Sequence, residues 1–159
     1  MILIKENFED GKMNYFGIKD SGIDDIVNDP ANSMDDWSLH IPPMDNAMPN
    51  VLMRRHLVEL KKGHTYTFNL FAKGDPAVII RLSFVNNPSG GHGNPKILAQ
   101  AEKDYLSTNY SDVPYTLKFT ALENYPYGGV HFQIGGANAS RPSFVDNIEV
   151  SVESWLDLI

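Results

Sequence analysis

"HTYTFNL", residues 64–70, decides the fold. Thr65, Thr67 and Asn69 alternate with Tyr66, Phe68 and Leu70. A period of two, apolar on one side and polar on the other, is the pattern of a strand with one face in a core. Working outward, "AVIIRLSFV" (77–85) is a second strand, followed by 114–121, 129–134 and 143–152. Upstream, 2–8, 36–41 and 51–60 read the same way. Turn-forming clusters separate them: Lys61-Lys62-Gly63, Lys73-Gly74-Asp75-Pro76, Asn87-Pro88-Ser89-Gly90-Gly91 and Gly135-Gly136. Helical periodicity is weak, with single turns of helix expected only near 23–28 or 96–103. Strands in this number, without helices to cover a sheet, imply an all-β sandwich or barrel of antiparallel strands.

The 159 residues suit one domain with a sizeable core, and 42% apolar with 21% charged residues is ordinary globular composition. We expect a module over residues 1–154. The apolar tail 155–159 then packs on the body or leads to a linker or neighbouring domain. The chain has no cysteine, which excludes disulfides, thiol nucleophiles and thiolate metal sites. A net charge of −7 disfavours nucleic acid as a partner. No apolar run reaches the ~18 residues of a membrane-spanning helix, so no membrane insertion is expected. Met1–Lys5 is too short and wrongly flanked for a signal peptide.

Alternation sorts the strand side chains into faces. Val78, Ile80, Leu82 and Phe84 share the core face of 77–85, which leaves Arg81 and Ser83 on the other. In 129–134, Val130, Phe132 and Ile134 point inward, and His131 and Gln133 point out. The stretch from Leu52 to Leu57 is less regular, but either parity turns a basic side chain outward from Arg54, Arg55 and His56. Arg54, His56, Arg81, Ser83, His131 and Gln133 thus form a platform of hydrogen-bonding side chains if their strands are neighbours. A solvated sheet face is the simpler reading of any one of them, though such faces favour Lys, Glu and Thr. Trp37, Leu39 and Ile41 alternate together, so Trp37 is read as core.

Five segments, in order, resemble one family. They are "NFEDG" (7–11), "LKKGHTYTFNLFAKG" (60–74), "YLSTNYSDVPYTLKFT" (105–120), "GVHFQIGG" (129–136) and "SFVDNIEV" (143–150). Together they resemble the carbohydrate-binding modules of the family 4, 9, 16 and 22 group. The resemblance implies a β-sandwich jelly-roll of two antiparallel sheets with a concave ligand-binding face. It implies a non-catalytic module that binds single polysaccharide chains of β-glucan or xylan type, with uronic acids as a further option given the arginines. Such a module is a monomer, secreted or at the cell surface, that targets an attached glycoside hydrolase. Carried over by position, the polar cleft residues fall on His56, Arg81, Asn87 and Gln133. The family's aromatic platforms have no direct equivalent, and Phe16, His92, Tyr105 and Tyr110 are the stand-ins. The resemblance also implies a structural calcium between the ends of the domain, held by Asn7, Glu9, Asp35 and Asp146 through oxygen ligands. No catalytic cofactor is expected.

Two other classes stay open. A jelly-roll polysaccharide lyase needs a group to neutralise a uronate and a His or Tyr to move the proton, which Arg81, Gln133, His131 and Tyr105 supply. A hydrolase needs two carboxylates ~5–9 Å apart in one cleft, and acids are scarce on these strands. A cell-surface sandwich with a protein partner is the third class.

Overall fold

The computed structural model describes residues 1–12, 14–18, 25–43, 50–53, 58–87, 95–136 and 139–153, with backbone alone at 16–18, 25–26 and 50–53. Among the described residues the regular elements are strands and a single 3-10 turn at Pro30–Asn32. The strands are β1 (Ile2–Glu6), β2 (Phe16–Ile18), β3 (Asp25–Asn28), β4 (Trp37–Ile41), β5 (Asn50–Met53) and β6 (Thr65–Lys73). They continue with β7 (Ile79–Asn86), β8 (Lys96–Gln100), β9 (Asp104–Tyr105), β10 (Tyr115–Thr120), β11 (Gly128–Gly135) and β12 (Ser143–Val152).

Two antiparallel sheets of six strands result. The first runs β10-β6-β12-β4-β3, with β1 on the same edge of β12 as β4 but further along it. The second runs β2-β5-β11-β7-β8, with β9 also on β7. This is the all-β jelly-roll sandwich that the alternation and the resemblance imply. Residues 25–28 and 96–100, where helical turns were considered, are strands: each lies at a sheet edge and pairs along one side only. Residues 54–57, including Arg54 and His56, lie outside the described residues, as does His92.

The core fills the space between the sheets, where alternating residues of both inner faces meet. Phe68 of β6 meets Phe84 of β7 edge to face at 6.3 Å, and Phe84 meets Phe119 of β10 at 5.5 Å. These spacings are those of favourable aromatic pairs. Leu39 and Ile41 are buried and Trp37 packs against the core from its margin, in agreement with their alternation. Two glycines are needed where they stand. Gly63 has φ +83 in the turn before β6. At Gly128 an added Cβ would lie 2.5 Å from the Leu60 side chain and 2.6 Å from the Val58 carbonyl.

The last strand changes phase midway. Val145 is fully buried, and so are Ile148 and Val150. Strict alternation cannot place an odd and then an even series on one face. A bulge solves this: pairing with β6 shifts between Asp146 and Glu149, and Asn147 takes φ 46. Asn enters the left-handed region more readily than most residues. The extra residue swings Ile148, Val150 and Val152 back to the core.

Candidate functional site

The outer face of the second sheet brings the expected residues together. β11 and β7 pair so that Gln133 lies opposite Arg81 and His131 opposite Ser83. On the other edge of β7, Gln100 of β8 lies opposite Ser83. Gln100 links the two rows: Arg81 Nη1 donates to its Oε1 (3.1 Å), and its Nε2 donates to Ser83 Oγ (3.2 Å). Sequence reasoning missed Gln100, because an edge strand on one side of a bulge shows no clean alternation.

The face has depth. Ser83, His131 and Val85 turn away from the core yet are buried, and Asn87 just beyond β7 is only 5% exposed. They form a floor. Arg81 and Gln133 are half-buried and Gln100 is exposed, so these three carry the accessible planar groups. Arg81 Nε and Asn87 Oδ1 are buried without a hydrogen-bond partner among the described residues. Buried polar atoms are usually satisfied, so both are acceptor or donor capacity held in reserve at this face. Of the described residues on this face of β7, β8 and β11, none is an Asp or Glu.

Exposed tyrosines stand at both ends. Tyr105 lies opposite Ile79, one row beyond Arg81, and is 60% exposed. At the other end the Asn87 amide donates to the Tyr127 carbonyl (2.9 Å), and Tyr127 is 48% exposed. From Ile79 to Asn87 an extended chain covers about 26 Å at ~3.3 Å per residue. Tyr127 was not anticipated, since it sits in the turn before β11 rather than in an alternating strand. Tyr110, another stand-in, is no platform. Its hydroxyl donates to the Asn32 carbonyl (2.9 Å) and Lys73 Nζ lies 5.4 Å from its ring centre, on the side of the other sheet. Phe16 is described by its backbone alone, with its Cα opposite Met53 of β5.

The acidic cluster lies on the first sheet, away from this face. Asp146 is 1% exposed, and its two oxygens accept the amides of Met34 (2.9 Å) and Asn147 (2.8 Å). Glu9 Oε1 accepts the amides of Trp37 (2.9 Å) and Asp36 (3.1 Å), and Asn7 Oδ1 accepts that of Glu9. Direct hydrogen bonds therefore tie β12 and the turn after β1 to the approach of β4. Burial pushes the Asp146 carboxyl up to about 6, the two amides oppose the rise, and the negative charges of Glu9 and Asp35 add to it. The oxygen donors are of the kind calcium takes. Among the described residues no three His, Asp or Glu side chains form a metal-holding group, so such a site would draw on Asn and backbone oxygens as well.

No protein-family model matches the chain, and no curated protein matches it. Solved structures do. A CBM4 structure is 19% identical, with 92% of this chain and 99% of that one covered at a TM-score of 0.65. The CBM22-2 xylan-binding domain of Paenibacillus barcinonensis Xyn10C is 16% identical, covering 95% and 99% at 0.62. The N-terminal cellulose-binding domain of β-1,4-glucanase C from Cellulomonas fimi is 18% identical, covering 88% and 90% at 0.62.

Proposed function

We propose that this jelly-roll, whose fold is that of the CBM4-like modules, is a non-catalytic carbohydrate-binding module that takes a single polysaccharide chain across the outer face of its second sheet. The observation that carries the reading is the row Gln133–Arg81 with Gln100 beside it, bracketed by Tyr105 and Tyr127. Planar amide and guanidinium groups make two-point contacts with neighbouring hydroxyls. Tyrosine rings cover the C–H faces of a sugar at low entropic cost. The bond from Arg81 to Gln100 and from Gln100 to Ser83 holds these groups in place before binding, which limits the ordering cost.

A β-glucan or xylan type chain is the ligand class, and Arg81 accommodates a uronate because guanidinium pairs bidentately with carboxylate. The proposal extends to a monomeric, secreted or cell-surface module that directs an attached glycoside hydrolase to its substrate. It also places a structural calcium near Asn7, Glu9, Asp35 and Asp146. Its support is the negative charge of Glu9 and Asp35 beside the buried Asp146. The enzyme readings fare worse. His131, the lyase base, is 4% exposed, and the face presents no carboxylate pair among the described residues.

Affinity electrophoresis against xylan, cellulose-derived and mixed-linkage glucans, laminarin, mannan and pectin tests the reading, with Gln133→Ala run alongside. Retardation by at least one polymer, lost in the variant, is expected. Equal migration of both proteins in every gel removes the face from consideration, and new reducing ends or unsaturated products overturn the non-catalytic assignment.

A further inference from the structure

A groove of about 360 Å³ opens at the edge of the sandwich, between β9 of one sheet and β10 of the other. Ile80, Ala101 and Tyr115 line it together with Glu102, Asp104 and Ser111, the last three exposed. No cationic side chain lines it among the described residues. Its size lies at the lower end of the range of small-molecule sites.

The groove is built rather than incidental. The Tyr115 hydroxyl donates to the Tyr105 carbonyl (2.9 Å), and the Tyr105 amide donates to Asp104 Oδ1 (2.8 Å). Ser111 Oγ accepts the Val113 amide (3.2 Å), and Thr116 Oγ1 donates to Asn69 Oδ1 (2.7 Å). These bonds pin the backbone of Tyr105 and both walls while the Tyr105 side chain stays open. Tyr105 also closes the row next to Arg81 on the outer face, so it belongs to both places.

We propose that the groove is a further saccharide subsite, continuous with the outer face through Tyr105, and that it receives a neutral sugar unit. This rests on the carbohydrate-binding reading of that face and extends it. The half-buried Ala101 and Tyr115 offer apolar surface to the C–H face of a pyranose. Carboxylate and hydroxyl oxygens on the rim accept its O–H groups. Two carboxylates without a cation repel a uronate, so the groove and the Arg81 row differ in the sugar each favours.

The test is calorimetric titration of the chain with xylotriose, xylohexaose, cellotriose and cellohexaose. The variants are Ser111→Trp, which fills the groove from its exposed rim, and Glu102→Ala, which removes an acceptor from an exposed position. Melting temperatures confirm that each is folded. A lost hydrogen bond corresponds to a roughly fivefold loss of hexaose affinity in Glu102→Ala; Ser111→Trp, which shuts out the sugar unit, is expected to lose at least as much, with triose affinity unchanged in both. Unaltered hexaose binding in both variants overturns the subsite. If Gln133→Ala still loses binding in that case, the reading of the outer face stands without it. Failure of the unmodified chain to bind any of the four probes overturns the subsite, and the reading of the outer face then stands or falls with the affinity gels.

Discussion

Replacing Asn147 by valine tests the bulge that gives β12 its phase. The residue has φ 46, where a β-branched side chain brings Cβ against the following carbonyl at a cost of about 1–2 kcal/mol. For a chain of this size, 1 kcal/mol moves the melting temperature by about 2–4 °C. Asn147→Val is therefore expected to melt roughly 2–8 °C lower. Asn147→Gly loses the same amide contact to the Met34 sulfur (3.2 Å) but carries no Cβ, and is expected within about 1 kcal/mol of the parent. The difference between the two variants isolates the backbone effect. Deleting Asn147 is far more severe. Ile148, Val150 and Val152 leave the core or drag the pairing by one residue. At about 1.5–3 kcal/mol per buried aliphatic side chain, the loss reaches most of a typical domain's stability. Urea and thermal melts followed by circular dichroism measure all three. Equal melting temperatures for the valine and glycine variants, or a cooperative fold in the deletion, would refute the account of the bulge.

Arg81→Ala removes a charged donor from the face and is expected to weaken polymer binding by about 10- to 100-fold, since such hydrogen bonds contribute about 1.5–3 kcal/mol; affinity gels at graded polymer concentration read this. Tyr127→Ala is expected to reduce affinity by about 5- to 100-fold, the range for a lost contact of about 1–3 kcal/mol, without lowering the melting temperature. Gly128→Ala forces a Cβ against Leu60 and Val58, and chemical denaturation is expected to register about 1–3 kcal/mol of overpacking. Asp146 titrates at about 6 in the fold, above the ordinary 3.8. The folded state thus holds this proton more tightly, and the group's contribution to stability is present below pH 3.8 and lost as pH rises through 6. At 1.36 kcal/mol per pH unit this amounts to roughly 3 kcal/mol. In chelator, denaturation at pH 5 and 7 is expected to reveal about 1.3 kcal/mol of it, the part lost across that window, with a smaller slope in Asp146→Asn. Added calcium is expected to raise the midpoint at pH 7, and a midpoint indifferent to both calcium and chelator counts against the cation.

Where polar and apolar residues alternate along a strand, its faces declare themselves: β6, β7 and β11 were legible, and with them the placement of Arg81, Ser83, His131 and Gln133 on one face. Alternation gives the face of a side chain but not its depth, so it did not distinguish the open Arg81 and Gln133 from the buried Ser83 and His131. Edge strands hide for the opposite reason. Lys96–Gln100 pairs along one side and is mostly exposed, and its Lys, Leu, Ala and Gln also favour helix. Its Gln100 became visible only through register. Tyr110 misled because a loop sequence does not say which sheet it crosses. Asp146 and Asn147 stood out as polar residues in a strand, but that one caps the loop at Met34, 112 positions away, and that the other turns the chain at a bulge against β6 depends on distant contacts.

The position of β12 has a consequence for how the domain comes into being. It is the last described strand, yet it lies inside its sheet, with β6 along one edge and β4 and β1 along the other. During synthesis, β1, β4 and β6 must therefore wait with open edges until residues 143–152 leave the ribosome. Pairing so distant in sequence is slow to form, and unpaired strand edges invite association between chains. A chain halted before Ser143 is expected to aggregate rather than fold, and a detached peptide of 143–152 is expected to rescue it by inserting as the missing strand.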